Sequence, residues 1–327
     1  MKERRVGTSR VTDEATFLRE LDDAVRAFSF EREISDGKHR LKIPGHRSIP
    51  FWAPRKQRLF GPHRPSSDMY EPVATAVMSY LMREFRPRTM FDVGGATGYF
   101  NFIAASAQAV DATVHAFEMR PDWFALAEEK LAGEDWCRGR VFNHLVGVSD
   151  RRVGVKTVWY SKTDLYETKP DPSQYREAWW RRLKRRLKGN ADVATLKSAD
   201  ILITSLDDLA RQHGAPELIK LDVDGYEAMA LPGAAELLNG SQLPFVQFEL
   251  HKNERLKRFG TSRRELMSFL FARGYRAIAF SDPDDCKGTR IEKVTIDSPE
   301  IEIERTSFFL MYRARRHARL ARVSYLK

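Results

Sequence analysis

Apolar positions along this chain follow two rhythms. Phe17, Leu18, Leu21, Val25 and Phe28 recur at helical spacing, which predicts an amphipathic helix early in the chain. Residues 70–85 predict a second helix. Between them, prolines and glycines break residues 39–68 into loops and short extended pieces. From Phe91 onward, short apolar runs alternate with helical stretches. The runs "FDV", "TVHAFEM" (113–119), "VFNHLVGVS" (141–149), "LIKLDVD" (218–224) and "FVQFELH" (245–251) predict strands. Residues 98–109, 121–133, 226–239 and 261–273 predict the helices between them. Pro121 suits a first helical position, where no hydrogen bond is lost. Such alternation predicts βαβ units on a mainly parallel, doubly wound α/β sheet. "YRAIAFS" (275–281) and "TSFFLMYR" (306–313) have no helix between them and predict an antiparallel ending.

The alternation fails between 150 and 200, which reads as a strand or hairpin followed by a polar insertion. The chain therefore divides into an amino-terminal helical extension (1–68), a main domain (69–313) interrupted by the insertion at 160–200, and a tail (314–327). Charge sharpens this division. Residues 176–188 and 312–327 each carry net +6; removed from the total of +10, they leave the rest at about −2. Within the first segment Trp179, Trp180, Leu183 and Leu187 share one helical face. Such a helix is either merely solvated or suited to peripheral contact with an anionic membrane surface. The near-neutral remainder argues against nucleic acid as a partner. Cys137 and Cys286 fit no metal-ligand spacing, and no apolar run approaches membrane-spanning length, so a cytoplasmic protein is expected.

The chemistry begins at "FDVGGATGYF". Gly94, Gly95 and Gly98 turn a strand into a helix, but not with the G-x-G-x-x-G spacing of dinucleotide sites. Asp92 precedes them, where an acid repels a pyrophosphate and attracts a cationic amine. Glu118 ends the next strand, where an acid accepts ribose hydroxyls. A ligand with a ribose, no phosphate and a cationic amino-acid end is S-adenosylmethionine. Asp222, Glu249 and His251 sit at the carboxyl ends of central strands, where a base for a hydroxyl proton belongs. Glu249 and His251 alternate and so point to one side. His251 also reads as a satisfied strand-end histidine, Asp224 and Glu227 as supports of the helix starting at Gly225, Asp207 and Asp208 as caps of the next helix, and Lys220 as an ion-pair partner.

Taken together, "FDVGGATGY", "HAFEMRPD", "VGVSD", "ITSLDDLA", "IKLDVDGYEAMALPGAAELL" and "FVQFELH" resemble, in order, the blocks of the FkbM family of class I S-adenosylmethionine-dependent methyltransferases. The resemblance spans about residues 70–281. It departs from the family at Ser205 and Asp224, where a Thr and a Glu are usual. It implies a Rossmann-like fold and O-methyl transfer to a saccharide or lipid-linked hydroxyl, with Ser149 added to the cofactor contacts. The alternatives are a small secondary metabolite as acceptor, or a non-catalytic membrane- or polyanion-binding module on the same fold. No metal ligands are assigned. A Mg2+ ion held by Asp222 and Glu249 is the disfavoured alternative, suggested by likeness to metal-dependent sugar O-methyltransferases.

Overall fold

The computed structural model describes residues 13–35, 38–50, 71–161, 165–166, 168–171, 196–280, 293–296 and 308–313. The basic helix expected at 176–188, the tail beyond Arg313 and Cys286 lie outside the described residues.

Fourteen strands are described. β1 (Glu31–Ser35), β2 (Lys38–Lys42) and β3 (Ile49–Pro50) make a small antiparallel sheet. The others form one eleven-stranded sheet in the order β13-β12-β14-β11-β10-β4-β5-β6-β9-β7-β8. Its centre is parallel: β4 (Thr89–Val93), β5 (Thr113–Glu118), β6 (Val141–Ser149), β10 (Leu218–Leu221) and β11 (Phe245–Glu249). Strands covered on both faces need apolar residues on both, and β4, β10 and β11 are buried almost throughout. From β4 the chain builds outward to β5 and β6; β10 then returns to the other side of β4. The winding reverses between β4 and β10, and such a reversal opens a crevice at the strands' carboxyl ends.

At one edge the antiparallel ending expected from the sequence is present, as an insertion within the sheet. β14 (Phe308–Tyr312) lies between β11 and β12 (Arg276–Phe280), antiparallel to both, and β13 (Lys293–Ile296) pairs with β12. At the other edge the sheet is wider than the sequence predicts. β9 (Lys197–Ser205) lies parallel to β6 and antiparallel to β7 (Gly154–Tyr160), which pairs with the short β8 (Leu165–Tyr166). β9 has a polar first half, and its outward Leu202 is 36% exposed while Ile201 is buried. No long apolar run marks it.

The helices among the described residues are α1 (Glu14–Arg26), α2 (Pro72–Glu84), α3 (Tyr99–Ser106), α4 (Pro121–Ala132), α5 (Leu206–His213), α6 (Glu227–Ala230), α7 (Ala235–Asn239), α8 (Asn253–Leu256) and α9 (Arg263–Phe271). The single helix predicted for 226–239 is broken: Pro232–Ala234 form a 3-10 turn between α6 and α7. Gly233 is required there, because a Cβ would fall 2.0 Å from the Ser149 carbonyl oxygen. One sheet face carries α1, α2 and α3; α5 and the carboxyl-terminal helices cover the other.

The amino-terminal helix shares the main core. Asp13 caps α1, and Phe17 packs its ring 5.0 Å from Tyr312 and 5.6 Å from Phe85. Buried Glu14 accepts hydrogen bonds from Arg276 at 2.5 Å and from the Tyr312 hydroxyl. Among the described residues no helix is long and apolar enough to cross a membrane.

Candidate active site

A cavity of about 730 Å³ opens at the carboxyl ends of β4, β5, β10 and β11. Its first wall is the turn after β4. Gly94 has φ +82°, and a Cβ there would lie 1.8 Å from the Asp222 carbonyl oxygen. Only glycine lets β4 and β10 approach this closely. Gly94 and Gly95 donate backbone N–H groups to the Phe117 carbonyl, tying the turn to β5.

Glu118 lines the cavity. Its two carboxylate oxygens accept the Ala96 N–H at 2.8 Å and the Arg120 N–H at 2.7 Å. Burial pushes its carboxyl up to about 7 against those hydrogen bonds. A carboxylate has about four acceptor positions, so two remain after the backbone is served. Phe117, Met119, Val146 and Val148 give an apolar wall beside it. Arg120 also lines the cavity, its guanidinium donating to Asp122 and to the Ser161 carbonyl at 2.8 Å.

The second wall holds the charged groups. Asp222 follows β10, where its N–H donates to the Val93 carbonyl at 3.0 Å, and Glu249 ends β11. Side-chain atoms of Asp222, Glu249 and His251 lie within 4.8 Å of one another. Burial, then the Asp222 charge, pushes the Glu249 carboxyl up to about 7. Lys220, 6% exposed, lies 3.2 Å from Asp222 and 3.9 Å from Asp92. Burial opposes its charge, but the two aspartates outweigh burial and hold it protonated.

His251 is held at both ring nitrogens. Nδ1 donates to Glu227 Oε1 at 3.0 Å, and Nε2 lies 3.5 Å from Asp224. Burial works against the charged ring, yet Asp224, Glu227 and Glu249 raise its pKa to about 10. It is an imidazolium at neutral pH. Glu227, fully buried, also accepts the N–H groups of Val223 and Gly225 at 3.2 Å each. Asp224, at φ +55°, pairs with Arg255 at 2.5 Å. Arg258 rests 4.7 Å over the Tyr226 ring at the mouth.

The site residues expected from the sequence thus divide. Gly94, Gly95, Glu118, Asp222, Glu249 and His251 line one cavity. Gly98 lies outside it; it sits at the N-cap of α3 with φ +85°. Asp92 is 1% exposed behind Lys220, both its oxygens without a hydrogen bond among the described residues. Burial pushes its carboxyl up to about 6, and its charge acts on Lys220, Asp222 and Glu118 at the cavity wall. Ser149 is off the cavity: its hydroxyl donates to Asp150, and its carbonyl packs on Gly233. Ser205, not Asp207 or Asp208, caps α5; Asp207 instead accepts the Glu236 and Leu237 N–H groups of α7. Sequence reasoning assigned no role to Arg255 or Arg258, which become part of the mouth only once α8 folds over Asp224.

Among solved structures, the chain aligns with the methyltransferase FkbM from Methylobacillus flagellatus KT (13% identity, TM-score 0.39). That match covers 75% of this chain and 55% of that one, so the chain spans about half its length. An O-methyltransferase from Bacillus cereus, solved with SAH, aligns at 10% identity over 76% of this chain and 82% of its own, TM-score 0.40. The O-methyltransferase TomG from Streptomyces achromogenes, solved with SAM, aligns at 11% over 76% and 83%, TM-score 0.39. No curated protein matches the chain in sequence. Superpositions this loose leave the family to rest on sequence. The model of the methyltransferase FkbM domain matches residues 92–277, more than half of the 327, and the chain belongs to the FkbM methyltransferase family.

Proposed function

We propose that this enzyme uses S-adenosylmethionine to methylate a hydroxyl of a saccharide or glycolipid, with Glu249 as the base. The carrying observation is Glu249 held beside Asp222 at the carboxyl ends of β11 and β10, where burial first and the Asp222 charge second push its carboxyl up to about 7. A base works best when its pKa lies near the working pH.

The residues present fit the cofactor. The cavity lies within the roughly 300–1,000 Å³ of small-molecule sites. Glu118 retains acceptor capacity for a ribose, the apolar wall suits a purine, and two buried acids at the glycine turn disfavour a phosphate. When bound, the cofactor supplies an electrophilic methyl group on a sulfonium. Glu249 takes the acceptor's proton, Asp222 keeps that carboxylate basic, and the His251 cation fixes the end of β11 through Glu227 and Asp224. The apolar wall keeps water from the reacting atoms. Tyr226 and Arg258 at the mouth give an aromatic and cationic platform suited to a sugar ring bearing acidic groups.

Two measurements test this reading. Glycans and lipids from cells with and without the protein should differ by one methyl unit; no difference in either fraction refutes the acceptor class. The membrane contact rests on the basic segments at 176–188 and 312–327. The protein should sediment with acidic vesicles at low salt and be released by high salt; protein left in the supernatant removes the membrane.

A further inference from the structure

Three histidines converge away from the cavity. His115 lies in β5 and His144 in β6, and parallel register pairs His115 with Phe142 and Phe117 with His144. These four side chains therefore share one sheet face. α5 crosses that face, with Leu206 and Leu209 in the same core as Phe117. Its last residue, His213, closes over the pair, its ring centre 4.7 Å from that of His115 and 4.5 Å from that of His144. One ring nitrogen from each of the three lies within 4.8 Å of the others. His115 Nδ1 and His144 Nε2 are 3.1 Å apart.

A parallel strand inside a sheet calls for apolar residues, and neither family membership nor methyl transfer needs three imidazoles here. His115 stands three residues before Glu118, roughly 10 Å down the strand from the cavity rim. Nitrogens held by one tetrahedral zinc at its usual ~2.0–2.1 Å lie about 3.3 Å apart, close to the separation already set between His115 and His144.

We propose that His115, His144 and His213 bind a zinc-class divalent ion that clips the carboxyl end of α5 to β5 and β6. The ligand class follows from the donors. Three imidazoles with no carboxylate in the group suit zinc or its first-row neighbours and not magnesium or calcium. An unperturbed imidazole is largely uncharged at neutral pH, so the three rings can offer ring-nitrogen lone pairs to such an ion. On binding, the proton between the facing nitrogens moves to the far nitrogen of its own ring, and both near nitrogens turn to the metal. The fourth position falls to water. Access is open, since His144 and His213 are half-buried and the neighbouring Phe142 is 41% exposed.

The competing account is a plain stack of rings, in which Phe117 and Phe142 take part. Titration of chelator-stripped full-length protein with Zn2+, and with Co2+ as an optical probe, separates the two. One equivalent should bind, with the intense visible bands of tetrahedral cobalt. His213→Ala removes a half-exposed ligand at a helix end and is the variant least exposed to misfolding. It should weaken zinc by at least about 100-fold, the upper range for loss of a mere supporting partner. His144→Gln should do the same, and Glu249→Gln should leave binding intact. Absence of binding at micromolar zinc, or affinity unchanged in His213→Ala, overturns the proposal. Loss in Glu249→Gln alone moves the metal to the cavity and overturns it equally.

Discussion

Two clusters of three side chains, each gathered within 4.8 Å, sit on this sheet and have opposite electrostatics. In the cavity, Asp222, Glu249 and His251 are surrounded by charge. Lys220 answers Asp222, and Glu227 and Asp224 hold the His251 ring charged, with a pKa near 10. Beneath the β5–β6 face, no acid among the described residues answers His115 and His144, and burial takes their pKa values to about 4. The same imidazole is a fixed cation in one cluster and a free lone pair in the other. Residue type alone names neither role; the neighbouring charges do.

The sharpest way to break this comparison is to remove the group that the charges leave near neutrality. Glu249→Gln keeps shape and loses basicity, so turnover should fall by about 10²–10⁴-fold. S-adenosylmethionine affinity, read by calorimetry, should hold. In the wild type kcat/KM should rise with pH through about 7 as Glu249 ionises, and the variant should lose that limb. Equal activity in the variant moves the base to Asp222.

Next in size is the stability held in the His251 cation. Its folded pKa lies above the unfolded value of 6.5, so its contribution is complete below pH 6.5 and lost as pH rises through about 10. The fall is bounded at ~1.4 kcal/mol per pH unit for one proton. Urea melts at pH 6 and pH 9.5 should show it. His251→Gln should flatten that limb, and His144→Gln should not, since its ring is already neutral there. A limb that survives in His251→Gln assigns the cation elsewhere.

A smaller effect belongs to the cofactor wall. Glu118→Ala should weaken S-adenosylmethionine by about 1–3 kcal/mol, the range for hydrogen bonds to a charged group. The loss would include the Ala96 N–H, left without its acceptor. Unchanged affinity would take Glu118 out of the site.

What the sequence disclosed follows the same division. The glycine turn, Glu118 and the carboxylates after β10 and β11 are legible because each is tied to a strand end, and strand ends show as breaks in hydrophobicity. Asp92 looks the same in sequence, but Lys220 covers it, and only the pairing of β4 with β10 reveals that. Ser149 lies off the cavity, its carbonyl packed on Gly233 and its hydroxyl bonded to Asp150, a placement that only the folded chain reveals. β9 stays hidden because half of it is polar. The three histidines follow no motif spacing. Their meeting depends on β5–β6 register and on where α5 ends.

The finest test exchanges the character of the first cluster. Two carboxylates with an imidazole look like a divalent-ion site, and the sequence offers magnesium on Asp222 and Glu249 as a disfavoured alternative. Lys220 argues against it, because its ammonium lies 3.2 Å from Asp222, where it already supplies the positive charge. Wild-type methyl transfer should therefore be insensitive to a chelator, and Mn2+ should not relax water protons at this site up to millimolar concentration. Lys220→Met keeps the apolar stem over Phe100 and removes the charge. Asp222 and Asp92 then lose their cation, and the cavity should gain a weak ion affinity, in the ~10⁻⁴–10⁻³ M range of loosely built oxygen sites. His251 stays protonated through Glu227 and Asp224, so it adds no ligand and keeps the gain small. Zinc at the histidine cluster should be unaffected, since Lys220 touches none of its members. Chelator-sensitive activity that Mg2+ restores and Zn2+ does not would show that Lys220 does not fill the ion's place, and the contrast between the two clusters would collapse.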